Sequence, residues 1–409
     1  MISIQIKNLG PLIDTGIVFL SQFNVIIGKQ STGKSTFMKI LSYCQWLEKK
    51  IMTDTENQTI KNYTHNNRFI KELKQFHNFN DGFFSSISEI HYCSDVLYID
   101  LYSSSKNVKI EKSENFEAFR HNVKNCFIPS ERNLVSAIKN IDNVYKTSKY
   151  DYIINHILEW GEAKEHISEE HPIDLSFVGN MQYYYSSKKN DVIKLKDKGI
   201  TISPCVASSG VQSVLPIAVM AEYFTSKEFL NKVLVNKIDL TEFFKRYLED
   251  NNLTLSKELF TRKFEQYSNL KRYMATNLFI EEPEQNLFPI SQQELMKFLV
   301  EKINSINIYD DWYSSLTVTT HSPYIITAFN LMMKAHQALK ANSKKTSQLI
   351  TNNIFVDIDK IQAYYIESGR MHNIVDEELN MISGVDLDKA SDLVEDQFEL
   401  LDNIIYEKL

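Results

Sequence analysis

The hydrophobic positions at the start of the chain predict a strand, a loop and a helix. Apolar residues alternate with polar ones from position 2 to position 6, and Phe23–Ile27 is a compact apolar run. Both patterns are typical of strands. Apolar residues then recur at helical spacing between positions 37 and 50, which predicts an amphipathic helix. The glycine-punctuated residues 28–36 between these two patterns predict a loop.

The later pattern mixes short strands with helices. Residues 177–205 predict a hairpin, residues 208–224 an apolar helix, and residues 278–280 and 316–320 two short buried strands. Residues 354–358 and 363–367 predict one or two further strands, and residues 387–405 an acidic helix. The fold class that follows is an α/β core with a mixed central sheet, interrupted by insertions.

Composition and charge exclude several classes of protein. The chain has 409 residues, 43% of them hydrophobic, and a net charge of −7, which argues against disorder and against a wholly basic surface. No apolar run has the length of a membrane helix, so we expect no membrane partner. The four cysteines lie far apart without zinc-ligand spacing. We therefore expect a reduced, cytoplasmic protein.

A phosphate-binding loop is the most specific motif in the chain. The pattern GxxxxGK[ST] is matched by Gly28, Lys29, Gln30, Ser31, Thr32, Gly33, Lys34 and Ser35, with Thr36 next. It follows a predicted strand and begins a predicted helix, where backbone N–H groups can surround phosphate oxygens. Lys34 would contact the β- and γ-phosphates, and the Ser35 hydroxyl would bind Mg²⁺.

Two carboxylates follow the apolar residues 278–280. Glu281 is suited to hold Mg²⁺ and Glu282 to orient and deprotonate an attacking water. An exposed acidic turn is the structural alternative, and the upstream phosphate loop favours the catalytic interpretation.

Two further segments carry weaker signals. Ser208, Ser209, Gly210 and Gln212 open an apolar helix, whose tip could bind an anion or be an ordinary serine cap. His321 ends a β-branched run, where it could contact a γ-phosphate or be structural.

Taken in this order, the segments resemble the ABC-type ATPases. The resemblance assigns Walker A to residues 28–35, the signature to 208–212, Walker B and the catalytic glutamate to Glu281 and Glu282, a D-loop to 285–289 and the H-loop to His321. The stretch IEEPEQNLFP is similar to the soluble RecF, SMC and OLD-like branch, in particular to OLD-like proteins. The chain departs from the usual pattern at Gln30, at Val211 and at Glu281, where most ABC proteins have aspartate. The resemblance does not fix the position of a Q-loop, and its candidate is the stretch Phe-Ile-Pro-Ser-Glu-Arg, with Arg132 as a γ-phosphate sensor or coupling residue.

The resemblance implies a function and partners. ATP and Mg²⁺ would be bound by a head-to-tail homodimer, with a higher assembly left open, because each chain has one copy of each motif. Too few residues follow His321 for an OLD-type nuclease domain, so a separately encoded effector in anti-phage defence is the expected partner. The alternatives are a RecF-like repair ATPase that binds DNA and an ATP-locked scaffold with little turnover.

The resemblance also divides the chain into segments. We expect the ATPase core's N-terminal lobe at 1–50, an insertion and signature-side lobe at 51–205, the signature helix at 206–225, a helical insertion at 226–276, and the remaining core with a terminal helix at 277–409.

Overall fold

The described residues form four sheets with helices packed on them. The computed structural model describes residues 2–54, 58–65, 67–104, 107–139, 141, 150–188, 190–232, 270–306, 314–350 and 353–384. The strands are β1 (Ile2–Leu9), β2 (Leu12–Asp14), β3 (Val18–Leu20), β4 (Phe23–Ile27), β5 (Phe84–Cys93), β6 (Leu97–Tyr102), β7 (Asn107–Lys112), β8 (Asn122–Ile128), β9 (Ile173–Asp174), β10 (Met181–Tyr185), β11 (Asp191–Leu195), β12 (Ile200–Ile202), β13 (Tyr273–Glu281), β14 (Ser315–Thr320), β15 (Ile361–Glu367), β16 (Arg370–Asn373), β17 (Val375–Asp376) and β18 (Met381–Ile382).

The helices lie between these strands. They are α1 (Lys34–Thr53), α2 (Gln58–Tyr63), α3 (Arg68–His77), α4 (Phe116–Phe119), α5 (Leu134–Ala137), α6 (Tyr152–Lys164), α7 (Ser209–Phe224), α8 (Lys227–Asn231), α9 (Pro289–Ile306), α10 (Pro323–Ala341) and α11 (Ser343–Leu349). Within the described ranges, none of them is both long and apolar enough to cross a membrane.

The central sheet is mixed and has the strand order β16-β15-β4-β14-β13-β8. Strands β15, β4, β14, β13 and β8 run parallel, and β16 pairs antiparallel at the edge. Strands β4 and β14 are buried along their whole length, which explains why they read as continuous apolar or β-branched runs. Because the strands are parallel, the residues that follow β4, β8, β13 and β14 meet at one edge of the sheet.

An antiparallel sheet packs on the other face of α1. Its order is β2-β1-β5-β6-β7, with β3 paired to β1. Its inward side chains, such as Ile4 and Ile90, share one core with Phe37 and Leu41 of α1. This core between the antiparallel sheet and α1 therefore sets the position of the helix that begins at the phosphate loop.

A second core surrounds α7. Twelve side chains of this helix are buried, including Val214 and Leu215, and they pack with Trp160 of α6 and Leu299 of α9. A helix that is apolar on nearly all sides belongs in such an interior. The small sheet β12-β11-β10-β9 lies on the same core.

The predicted α/β class with a mixed central sheet is confirmed. The hairpin is β10 and β11, and the apolar helix is α7. The prediction of a strand at 354–358 is wrong: the N–H of Val356 donates to the carbonyl of Met332 instead, and β15 begins at Ile361, in register with Phe23. The segment between the phosphate loop and α7 contains helices, and also the strands β5 to β12. Most of the predicted insertion at 226–276 and the acidic helix at 387–405 lie outside the described residues.

Candidate functional site

The phosphate loop connects β4 to α1 with a tightly turned backbone. Ser31 has φ of 61° and Gly33 has φ of 111°, a left-handed region in which glycine is unstrained. A Cβ on Gly28 would lie 2.5 Å from the carbonyl oxygen of Ile366 in β15. The Thr32 hydroxyl donates to the carbonyl of Lys29 at 2.8 Å. Both glycines are therefore required by the geometry of the loop.

Lys34 extends back across the loop from the first position of α1. Its Nζ donates to the carbonyl oxygens of Gly28 and Lys29 at 2.8 and 2.7 Å. Burial lowers the pKa of Lys34, and the negative charges of Glu282 and Glu284 oppose this change. The interaction with these carboxylates places the end of β13 within electrostatic reach of the phosphate loop.

Glu281 is the buried carboxylate of the pair. Burial raises its pKa, while Lys39, the backbone N–H of Ser130 and the Ser35 hydroxyl act to lower it. The Ser130 N–H donates to Oε2 at 3.2 Å, whereas Oε1 is buried without a protein hydrogen-bond partner among the described residues.

A magnesium ion fits this arrangement. An orphaned carboxylate oxygen near a serine hydroxyl is the hard oxygen environment that Mg²⁺ takes together with substrate phosphates. In the described part of the chain, no three or more His, Cys, Asp and Glu side chains are grouped to hold a metal by themselves. Waters and phosphate oxygens would complete the coordination, as is usual for Mg²⁺ held by one or two protein groups.

Glu282, Glu284 and His321 form a second cluster at the same edge. The Nδ1 atom of His321 lies 3.9 Å from Oε1 of Glu282 and 3.3 Å from Oε1 of Glu284. Glu284 is buried, and its Oε1 accepts hydrogen bonds from the Thr320 hydroxyl and the His321 N–H at 2.8 and 2.9 Å. Glu284 therefore fixes the backbone that carries the histidine.

The backbone of Glu282 is held in an uncommon conformation. Its φ is 44°, a left-handed value that is strained for a residue with a side chain. Its N–H donates to the carbonyl of Thr319 at 2.9 Å. Its carbonyl accepts from the Gln285 N–H at 3.0 Å and from Arg132 at 2.7 Å. Three hydrogen bonds, with Thr319, Gln285 and Arg132, therefore hold the backbone of Glu282.

The tip of α7, defined as residues 208–212, is open to solvent on one side. Ser208 and Ser209 are exposed, and Ser208 makes no side-chain cap hydrogen bond. A Cβ on Gly210 would lie 2.8 Å from the carbonyl oxygen of Asn286. The Gln212 amide donates to the carbonyls of Pro204 and Cys205 at 3.1 and 3.2 Å. The tip thus packs against the turn after Glu284.

Arg132 lies beneath this edge and is fully buried. Burial lowers its pKa to about 10, and Glu284, Glu281, Glu282 and Glu131 oppose this change. The guanidinium remains charged at neutral pH and contacts β13 and α7.

The structure brings Lys34, Glu281, Glu282 and His321 to one edge of the central sheet. Two residues of this edge were not singled out from the sequence: Glu284 and Ser130. Glu284 could have been found as a third carboxylate in the stretch Glu-Glu-Pro-Glu. Ser130 acts through its backbone N–H. Nearly every residue type has this group, so the sequence could not have identified this residue.

Comparisons with known proteins give remote similarities. No family model and no curated protein sequence match the chain. Matching solved structures include the SMC head domain from Thermotoga maritima, at 9% identity and a TM-score of 0.37, covering 91% of this chain and 97% of that chain. The Smc head domain from Pyrococcus furiosus, bound to the C-terminal domain of ScpA, matches at 9% identity, a TM-score of 0.39 and coverages of 97% and 99%. The recombination mediator RecF matches at 10% identity, a TM-score of 0.31 and coverages of 91% and 97%. Identity and TM-score are low, so function is inferred from the residues of the site.

Proposed function

We propose that this chain is an ABC-type ATPase that binds Mg-ATP at the phosphate loop and hydrolyses it at Glu282. The observation that carries the proposal is the common edge of β4, β14 and β13, where Lys34, His321 and Glu282 meet. The GxxxxGK[ST] loop with its lysine is a specific phosphate motif. Carboxylates within electrostatic reach of that lysine suit phosphoryl transfer to water.

Each residue has a chemical task in this proposal. The loop N–H groups and Lys34 bind the β- and γ-phosphates and stabilise charge in the transition state. Glu282 takes the proton of the attacking water, and His321 orients the water or the γ-phosphate. Magnesium would neutralise phosphate charge, and Ser35 and Glu281 are the residues that would hold it.

We also propose that a second copy of the chain completes the site. Ser208 and Ser209 are exposed at the N-terminus of a long helix, which favours an anion. In a head-to-tail homodimer, the tip of α7 from one copy would cover the nucleotide bound by the other. ATP would then close the dimer, and hydrolysis would loosen it.

Two substitutions test binding and hydrolysis separately. Lys34→Ala should abolish ATP binding, measured by calorimetry, because it removes the cation that faces the phosphates. Lys71→Ala, which changes an exposed lysine of α3, is the control and should bind as wild type. Glu282→Gln should keep ATP affinity, reduce phosphate release by at least about 100-fold, and accumulate an ATP-dependent dimer in light scattering. A monomer that hydrolyses ATP at the full rate would contradict the shared site.

A separate effector is the partner we propose for the closed dimer, and its support is the resemblance of IEEPEQNLFP to OLD-like proteins. Co-purification of Glu282→Gln with the product of a neighbouring gene, in ATP but not in ADP, would support it. ATP-dependent binding of duplex DNA with steep salt dependence would favour the repair alternative instead. Full biological activity of Glu282→Gln would favour the scaffold.

A further inference from the structure

All five N–H groups of the Arg132 guanidinium donate hydrogen bonds to acceptors within the protein. Its Nε donates to the carbonyl of Ser213 at 2.9 Å, and its Nη2 donates to the Ser213 hydroxyl at 3.1 Å and to the carbonyl of Glu282 at 2.7 Å. Its Nη1 donates to the carbonyls of Pro129 and Glu281 at 3.3 and 2.6 Å. A guanidinium has five N–H donors, and each of them has an acceptor here.

These bonds leave Arg132 no donor for a nucleotide. The side chain is also fully buried, so a phosphate at the loop surface could not replace the carbonyls without opening the core. Of the two roles suggested by the sequence, phosphate sensing is therefore disfavoured and coupling is favoured.

Apart from the Pro129 carbonyl, the acceptors of Arg132 belong to two parts of the site, the start of α7 and the end of β13. Ser213 lies one residue after the tip of α7 and is fully buried. Glu281 ends β13, and Glu282 follows it with the strained φ of 44°. A strained peptide persists only where its surroundings hold it, and Arg132 supplies one of those contacts.

We propose that Arg132 is a positioning residue that couples the tip of α7 to the peptide of Glu282. The inference rests on the proposed function. When the tip binds a nucleotide held by the other copy, Ser213 moves with the helix as one body. Arg132 carries that movement to the Glu282 carbonyl and so sets the direction of the Glu282 side chain toward the attacking water.

Two variants weaken the coupling to different extents. Arg132→Lys keeps the positive charge but replaces five donors on a planar fork with three donors on one atom, so it cannot reproduce all the bonds to α7 and to the end of β13. Ser213→Ala removes a single hydroxyl acceptor. Ser136→Ala is the matched control, because Ser136 is also buried and its hydroxyl has no partner among the described residues.

The first readout is the division between binding and turnover. We expect Arg132→Lys to keep its affinities for ATP and ADP within about twofold and to lower kcat by about 10- to 100-fold, and Ser213→Ala to lower kcat by about threefold. The control should match wild type. A loss of ATP affinity that spares ADP would identify Arg132 as a γ-phosphate contact and overturn the proposal. An unchanged kcat for Arg132→Lys would overturn it as well.

The second readout is independent of hydrolysis. Hydrogen exchange without nucleotide should accelerate in Arg132→Lys at the start of α7 and at residues 281–287 together, while thermal melting verifies that the variant is folded. Acceleration at only one of these segments would contradict the coupling. If wild type shows no ATP hydrolysis but both segments loosen together, the proposed function fails and the connection through Arg132 stands.

Discussion

At the scale of single residues, buried side chains of the site hold more exposed ones in position through hydrogen bonds. Glu282 and His321 are the residues we assign to the chemistry. Their positions depend on Glu284, whose carboxylate accepts from the Thr320 hydroxyl and the His321 N–H. Neither hydrogen bond can be predicted from local sequence, because the partners are more than 35 positions apart.

Glu284→Ala should therefore affect stability and turnover together. It leaves two donors at the sheet edge without their acceptor, and we expect a loss of about 1–3 kcal/mol in the free energy of unfolding. Chemical denaturation measures this loss, and phosphate release should fall in the same variant. Glu294→Ala, which breaks a half-exposed pair with Lys297, should cost less than about 1 kcal/mol. If the two variants had the same unfolding free energy, the proposed structural role of Glu284 would be contradicted.

At the scale of elements, α1 joins the phosphate loop to the antiparallel sheet. Glu48, in the C-terminal half of α1, is buried and accepts a hydrogen bond from the Ser94 hydroxyl. Burial raises the pKa of Glu48 to about 7, although the hydrogen bond from Ser94 and the nearby Tyr92 hydroxyl act to lower it. The folded protein therefore binds a proton at this site that the unfolded chain releases.

The sign of the resulting pH dependence follows from this difference. Between pH 4.5 and 7 the folded state holds the proton and the unfolded state does not, so the contribution of Glu48 to stability falls as pH rises. It falls by roughly 3 kcal/mol across this window. Glu48→Gln stays neutral, so its unfolding free energy should rise relative to that of wild type between pH 4.5 and 7.

Urea denaturation of both proteins at several pH values measures that gain. Glu117→Gln, which changes a glutamate with a 73% exposed side chain, is the control and should differ from wild type by a nearly constant amount. A constant difference for Glu48→Gln would mean that Glu48 is ionised in the folded state throughout.

At the scale of the whole molecule, exposed apolar side chains flank the tip of α7. Val206, Phe288 and Ile290 are 70%, 77% and 58% exposed. Val206 precedes the tip, and Phe288 follows Leu287, whose side chain lies near Gly210. Apolar groups beside a functional edge are typical of a surface that meets a partner.

Phe288→Ser should weaken association without weakening ATP binding. In the Glu282→Gln background we expect the ATP-dependent dimer to require at least about tenfold more protein, since a large apolar contact is lost. Light scattering across a concentration series measures this, and calorimetry checks ATP affinity. Ile87→Ser changes another exposed apolar residue, on the antiparallel sheet, and should leave association unchanged. Equal loss in both variants would argue against an interface at the tip.

The sequence by itself determined the local elements of this protein. Periodicity predicts β4, α1, α7, β13 and β14, because burial of one stripe or of a whole strand imposes its own spacing on apolar residues. The glycines and lysine of the phosphate loop are equally local, since a tight turn at a helix start needs particular residue types at fixed positions.

Only the tertiary structure decided which distant residues meet. The strand order places β8, β13, β14 and β4 side by side, and this adjacency brings Ser130 to Glu281 and His321 to Glu284. It also turns Arg132 into a buried connector, because its acceptors are mainly backbone carbonyls from β13 and α7. Carbonyls are present at every position of a chain, so their use as partners depends on how the chain packs.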